Sequence, residues 1–305
     1  MPAFIHQTIR PGMMADDAKK LILGLLSGLS LEQTKPFFLS LEKSGYRGDV
    51  CMIVGDLGVA TQAFLRARRV QIVTFQKAFL RGFSASAARL PSLVLSRRRR
   101  ALFDRQLAPA YMHPRCARYF FYQSCLQECG GGYTHIMLTD VRDVLFQASP
   151  FAYELPDGLG VFVEERSRTI GSCEQNSRAM LRAFGRATLR EMSEQLIVST
   201  GTILGTTAAI REHLINVTRI LCEKKERQPI DKAVQNYLVH KEPPAKLRRF
   251  ENFSGPVLTM AGIDPARLQC NDRGQIISPD GHVINTLHQY DRHPELAQKL
   301  LRALT

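Results

Sequence analysis

Short apolar runs alternating with helical patterns are what most restrict the folds open to this chain. Asp49–Val54 (DVCMIV) and Val70–Phe75 (VQIVTF) are runs of strand length. Gln33–Ser44, closed by Gly45, and Val59–Arg69 carry helical patterns before each of them. Such alternation predicts βαβ units, hence an α/β fold with a mostly parallel central sheet flanked by helices.

The same pattern continues downstream. Pro114–Glu128 predicts a helix with Pro at its start and Gly130-Gly-Gly132 past its end, leading into a buried strand over His135–Leu138. Gly158–Glu164 predicts another strand that ends in Glu164 and Glu165. Leu196–Leu204 holds a short strand, a tight turn at Ser199–Gly201 and a second apolar step. Helices follow over Thr207–Lys225, capped by Thr206 or Thr207, and over Asp231–His240. Short strands around Val257–Thr259 and His282–Leu287 and a helix over Pro294–Ala303 close the chain. With 305 residues, 45% of them hydrophobic, and no repeat or long linker, one domain over 1–305 is expected.

Near the N-terminus the apolar stretch Leu21–Leu31 is too short to span a bilayer and has no clean signal cleavage site after it. It predicts an amphipathic helix within a helical N-terminal part over 1–45. The expected location is cytoplasmic, at most peripheral to a membrane. Seven scattered cysteines without a CxxC pair fit buried free thiols in a reducing compartment. There the sequons at Asn216 and Asn252 carry no meaning.

The formal net charge of +13 calls for an anionic partner. Nucleic acid is not expected: zinc-finger spacing, RNP-type sequences and basic regions with heptads are absent, and a chain without Trp offers little for base stacking. Arg97–Arg100 is either a solvated basic face or a contact for an anionic membrane surface.

Two acids stand where the strand over His135–Leu138 ends, Asp140 and Asp143, with Arg142 between them. Carboxylates at a strand's C-terminal end project into the crevice where open α/β sheets bind ligands. Two of them suit a hard divalent cation that itself holds a diphosphate. Ordinary turn acids paired with Arg142 would give the same sequence.

Taken in order, five pieces resemble the landmarks of GT-A-fold glycosyltransferases, nearest to the retaining branch of glycogenin and the lipopolysaccharide galactosyltransferases. They are Arg118 in CARYFF, Asp140-Val-Arg-Asp143, Ser199-Thr-Gly-Thr202, Asp231-Lys-Ala-Val-Gln-Asn236 and His288 in HQYDRH. The resemblance spans roughly Pro114 to Pro294 and implies a single GT-A (Rossmann-like) domain. It implies a nucleotide-sugar donor, Mn2+ or Mg2+ as cofactor, and a glycan or lipid-linked acceptor. The metal would be held by Asp140, Asp143 and His288, with the C-terminal segment 255–305 completing that site. Arg118, Asp140, Arg142, Thr200 and Gly201 would hold the donor; Asp231, Lys232 and Asn236 would carry catalysis. Departures from the family pattern are DxxD for DxD, Lys232 in place of a Gln, and HQYDRHP in place of the HxxGxxKPW ending. Two further readings stay open: a nucleotidyltransferase, and a non-catalytic nucleotide- or sugar-binding protein on a degenerate GT-A fold.

Overall fold

The computed structural model describes residues 19–74, 107–128 and 132–304. Arg97–Arg100, Cys129 and Ala3–Thr8, the segment that would answer to the N-terminal nucleotide-binding strand of the resemblance, lie outside them.

At the centre is a seven-stranded sheet whose first strand, β1 (Lys20–Leu26), is flanked in parallel by β2 (Asp49–Val54) and β4 (His135–Thr139). On the far side of β2, β3 (Gln71–Thr74) adds in parallel. Beyond β4 come β7 (Val198–Thr206), antiparallel to both its neighbours, then β6 (Leu159–Val163) and β8 (Leu247–Phe250), parallel to each other. The order is therefore β3-β2-β1-β4-β7-β6-β8, and four of its six pairings are parallel. This is the predicted α/β sheet.

The helix expected over Leu21–Leu31 is instead β1 followed by a helix start, so the described part of 1–45 opens on a strand. Leu21 and Leu23 face one core and Ile22 and Leu26 the other, all fully buried. A strand covered on both faces is apolar at every position, so its period of two disappears from the sequence. Ser30 then opens α1 (Leu31–Lys43): its hydroxyl accepts from the Gln33 amide while Gln33 accepts from the Ser30 amide, closing a capping box.

Helices cover both faces. Phe37, Phe38 and Leu41 of α1 and Leu65 of α2 (Val59–Ala67) pack on one. The other is covered by α3 (Pro114–Glu128), α4 (Glu174–Met192), α5 (Thr207–Lys224) and α6 (Asp231–Lys241). Cys51 on β2 meets Cys125 on α3 in a thiol–thiol hydrogen bond with sulfurs 3.7 Å apart, and none of the described cysteines forms a disulfide. Among the described residues no helix is long and apolar enough to cross a membrane.

A second, three-stranded sheet pairs β5 (Val144–Phe146) antiparallel with β12 (Thr286–His288), which pairs in parallel with β9 (Val257–Thr259). The expected strand over His282–Leu287 is thus shorter and shifted to His288. The terminal helix α7 (Pro294–Arg302) packs into this sheet's own core through Ala297 and Leu300. A two-stranded hairpin, β10 (Gln269–Cys270) with β11 (Ile276–Ile277), completes the strands.

Nor is there a tight turn at Ser199–Gly201, because β7 runs unbroken through it. Val161 pairs with Ile203 and Val163 with Val198, so β7 advances five residues while β6 advances two. The small polar residues read as a turn are a bulge, which re-aims the backbone beside the strand end of β4.

Candidate active site

The site forms where β4 ends, β7 bulges and β12 arrives from the second sheet. Asp140 is the first residue after β4, and its amide donates to the Gly201 carbonyl at 2.7 Å. Asp143 directly precedes β5, and its carbonyl accepts from the Gln289 amide at 2.7 Å. His288 ends β12 in register with Val144 of β5. Two backbone ladders thereby bring together residues almost 150 positions apart. One carboxylate oxygen from each of Asp140 and Asp143 and one ring nitrogen of His288 all lie within 4.8 Å of one another.

The imidazole is set from behind. Its Nδ1 lies 3.3 Å from the Ser199 hydroxyl and 3.4 Å from the Thr259 hydroxyl. Nε2 is buried, has no hydrogen-bond partner among the described residues and faces Asp140 Oδ2 at 4.0 Å. With Nδ1–H donating to a hydroxyl, Nε2 presents a lone pair toward the two carboxylates. Burial lowers the His288 pKa, Asp140 and Glu164 oppose this, and Lys232 and Arg118 reinforce it, so the ring is neutral at pH 7.

Asp143 is perturbed in the opposite direction. Burial, then the carboxylates of Asp140 and Asp291, push its pKa up to about 7 despite Arg142 nearby. Crowded carboxylates beside an orphaned, neutral imidazole nitrogen fit a divalent cation, which would relieve the first and satisfy the second.

Arg118 is the hub of the buried side. Its guanidinium donates to Asp140 Oδ1 and, at 2.8 Å, to the Thr200 carbonyl, and lies 3.7 Å from Asp231. Arg115, one helical turn earlier on α3, reaches Asp231 at 3.4 Å. Asp231 opens α6 and is 1% exposed, yet neither of its carboxylate oxygens has a hydrogen bond among the described residues. Lys232 follows it, close enough to bias His288 electrostatically. Asn236 is different: its amide clamps the Val198 N–H at 2.8 Å and C=O at 3.2 Å and donates to the Lys232 carbonyl at 2.9 Å. Arg142 lies at the rim, more than half exposed, and donates to Asp291 at 2.8 Å. A Cβ on Gly201 would stand 2.2 Å from His288 Nε2, so glycine there keeps room for the imidazole.

Arg115 and Thr259 are the site neighbours that sequence reasoning overlooked. The i, i+3 spacing from Arg118 marks Arg115 as sharing its helix face. Thr259 has no such local sign, because it meets His288 only as its partner in a parallel pairing.

The sheet order, the second sheet that brings in His288 and the strand-end acids define a GT-A-like glycosyltransferase fold. Among solved structures, the chain is similar to the galactosyltransferase LgtC in complex with donor and acceptor sugar analogues. The TM-score is 0.52 and the identity 14%, over 93% of this chain and 95% of that one. An active-site mutant of LgtC matches with a TM-score of 0.50 and 13% identity, over 92% and 95% of the two chains. No family model matches the sequence, and no curated protein matches it. At this level of identity the likeness establishes the fold.

Proposed function

We propose that the chain is a glycosyltransferase that moves a sugar from a nucleotide-sugar donor to a hydroxyl of a glycan or lipid-linked acceptor, with Mn2+ or Mg2+ as cofactor. The observation that carries this reading is the meeting of Asp140, Asp143 and an unpartnered His288 nitrogen at a strand-end crevice of this fold.

Asp140, Asp143 and His288 would hold the cation. A divalent ion bound there supplies compensation for the negative charge that builds on a departing diphosphate. The protein's own groups do the rest. Arg118 fixes the orientation of Asp140, while Ser199 and Thr259 fix the ring of His288. Asp231, held by Arg115 and Arg118 with oxygens still free to accept, is suited to receive hydroxyls of the donor sugar. Lys232 brings a positive charge to the same crevice from the first turn of α6, where the helix N-terminus also favours anions. Asn236 is a positioning residue, because its amide is committed to the backbone of β7. Arg142 is placed to exchange Asp291 for a phosphate as a bidentate fork.

Thermal shift with UDP, GDP, CDP and ADP, each with and without Mn2+, tests the site. One nucleotide should raise the melting temperature by several degrees only with metal, and Asp143→Asn should abolish that response. In chelator, the variant should melt roughly 2–4 °C above wild type, since it removes a crowded, partly buried charge worth on the order of 1 kcal/mol. No metal-dependent shift with any diphosphate would overturn the assignment. The commitment of Asn236 to structure favours one second reading, a protein that binds the donor without turning it over. Release of free nucleoside diphosphate from the matching nucleotide sugar separates the two.

A further inference from the structure

Helix α4 faces the core with Ala179, Met180 and Ala183 and turns a different surface outward. Gly185, at φ 83° and ψ 178°, divides it into two helical segments. The first exposes Arg178, Leu181 and Arg182, the second Arg186 and Arg190. Arginines four apart lie on one side of their segment. Arg178 pairs with Glu174 one turn away, but Arg182, Arg186 and Arg190 form no ion pair among the described residues. Leu181 is 42% exposed and, with Arg178 and Arg182, lines a shallow depression of about 440 Å³. Lys224 of α5 extends the basic surface, its ammonium 4.6 Å from the ring of Phe184. That ring is itself stacked on Tyr237 at 4.2 Å.

We propose that this face of α4 docks on an anionic lipid bilayer, with the arginines on lipid phosphates and Leu181 at the headgroup boundary. Charge complementarity selects this partner: unpaired guanidinium forks match phosphate oxygens bidentately, and a +13 chain is drawn to an anionic surface. Basic side chains around one exposed apolar residue make the pattern of a helix lying in the membrane interface. A protein partner would want a larger apolar centre with aromatic anchors, and the aromatic here is already stacked within the fold. The position is also suited to the site. α4 packs against α6, which opens with Asp231, and at its N-cap Cys173 accepts from Arg168, which lies 3.9 Å from the buried Glu164. Docking stands on the helix surface alone; only its use, holding the crevice near a membrane-borne acceptor, rests on the transferase reading.

Co-sedimentation of the full chain with vesicles tests this without any activity readout. Phosphatidylcholine vesicles are compared with vesicles in which a third of the lipid is phosphatidylglycerol. Partition to the anionic vesicles should fall with salt, and should drop roughly thirtyfold in Arg182→Gln with Arg186→Gln. Leu181→Asn should lower it severalfold. Arg66→Gln with Arg273→Gln removes the same charge from exposed sites on α2 and on the β10–β11 turn, and should cost far less. Equal loss in the two arginine pairs would reduce the effect to net charge and overturn the proposal. So would the absence of any preference for phosphatidylglycerol, loss only when Arg97–Arg100 are replaced, or binding to soluble polyphosphate with none to vesicles.

Discussion

Gly201 sets the tolerance of the site more sharply than any charged group in it. Alanine there would bring a methyl carbon to 2.2 Å from His288 Nε2 and 2.8 Å from Asp140 Oδ2, and neither neighbour is a flexible chain end. The imidazole must therefore move. Gly201→Ala is expected to weaken Mn2+ binding by roughly 10–100-fold while the far-ultraviolet circular dichroism stays that of wild type, with calorimetric titration as the check. An unchanged affinity would show that His288 is no ligand. At this scale much of the cluster was legible: Asp140, Asp143 and His288 are polar residues at the edges of apolar runs, which is how strand-end chemistry shows in a sequence. The resemblance set Gly201 among the donor-holding residues. The structure adds a need that no local pattern shows, clearance for the ring of His288, 87 positions downstream.

Asn236 and His213 belong to the scale of elements, because each joins a helix to what it packs on. Replacing Asn236 with Ala leaves both polar groups of Val198 unpaired in the core between α6 and β7. A loss of roughly 2–4 kcal/mol in urea unfolding is expected, where a purely catalytic asparagine would lose turnover at unchanged stability. His213 is buried in α5, and burial pushes its pKa down to about 4. Its folded value lies below the unfolded one of about 6.5, so the unfolded chain takes up the proton first. Stability from this group is complete above pH 6.5 and drains away as the pH falls toward 4. Between pH 7 and pH 5 wild type should lose about 2 kcal/mol more than His213→Gln, measured by urea unfolding at the two pH values. Elements punctuated at their ends were easy to recognise: α3 and β2 have the predicted bounds, Pro114–Glu128 and Asp49–Val54, with Pro114 opening the one and Gly48 and Gly55 flanking the other. β1, buried on both faces like β2, was not, since its leucine run continues past Leu26 to Leu29 and Leu31 and so reads at helix length. The bulge of β7 was mistaken for a turn because small polar residues serve both, and only pairing with β4 and β6 distinguishes them.

Over the whole molecule, two separately cored sheets meet at the cluster of Asp140, Asp143 and His288. Asp140 hangs from the large sheet and His288 from the small one, so a bound cation would tie one to the other. Mn2+ should slow amide hydrogen exchange across Thr286–Arg292 in wild type and leave Asp143→Asn unaffected; equal protection in both would place the ion elsewhere. The α/β class and its parallel strands were readable because each apolar run announces itself locally. The joining of two sheets was not, since no local pattern tells that β5 leaves the first sheet to pair with a strand from the far end of the chain.

That pairing has a consequence for how such a site can change over time. Asp143 enters β5 one residue before Val144, and Val144 lies opposite His288. Separation between acid and imidazole is thus counted in whole residues of a ladder, and a slip by one would turn the imidazole to the other face of its sheet. The backbone spacing can change only in such steps, and finer adjustment is left to side-chain rotation. Adaptation of the proposed site to another metal would therefore proceed mainly by exchanging donor atoms at fixed posts, a discrete alphabet rather than a dial.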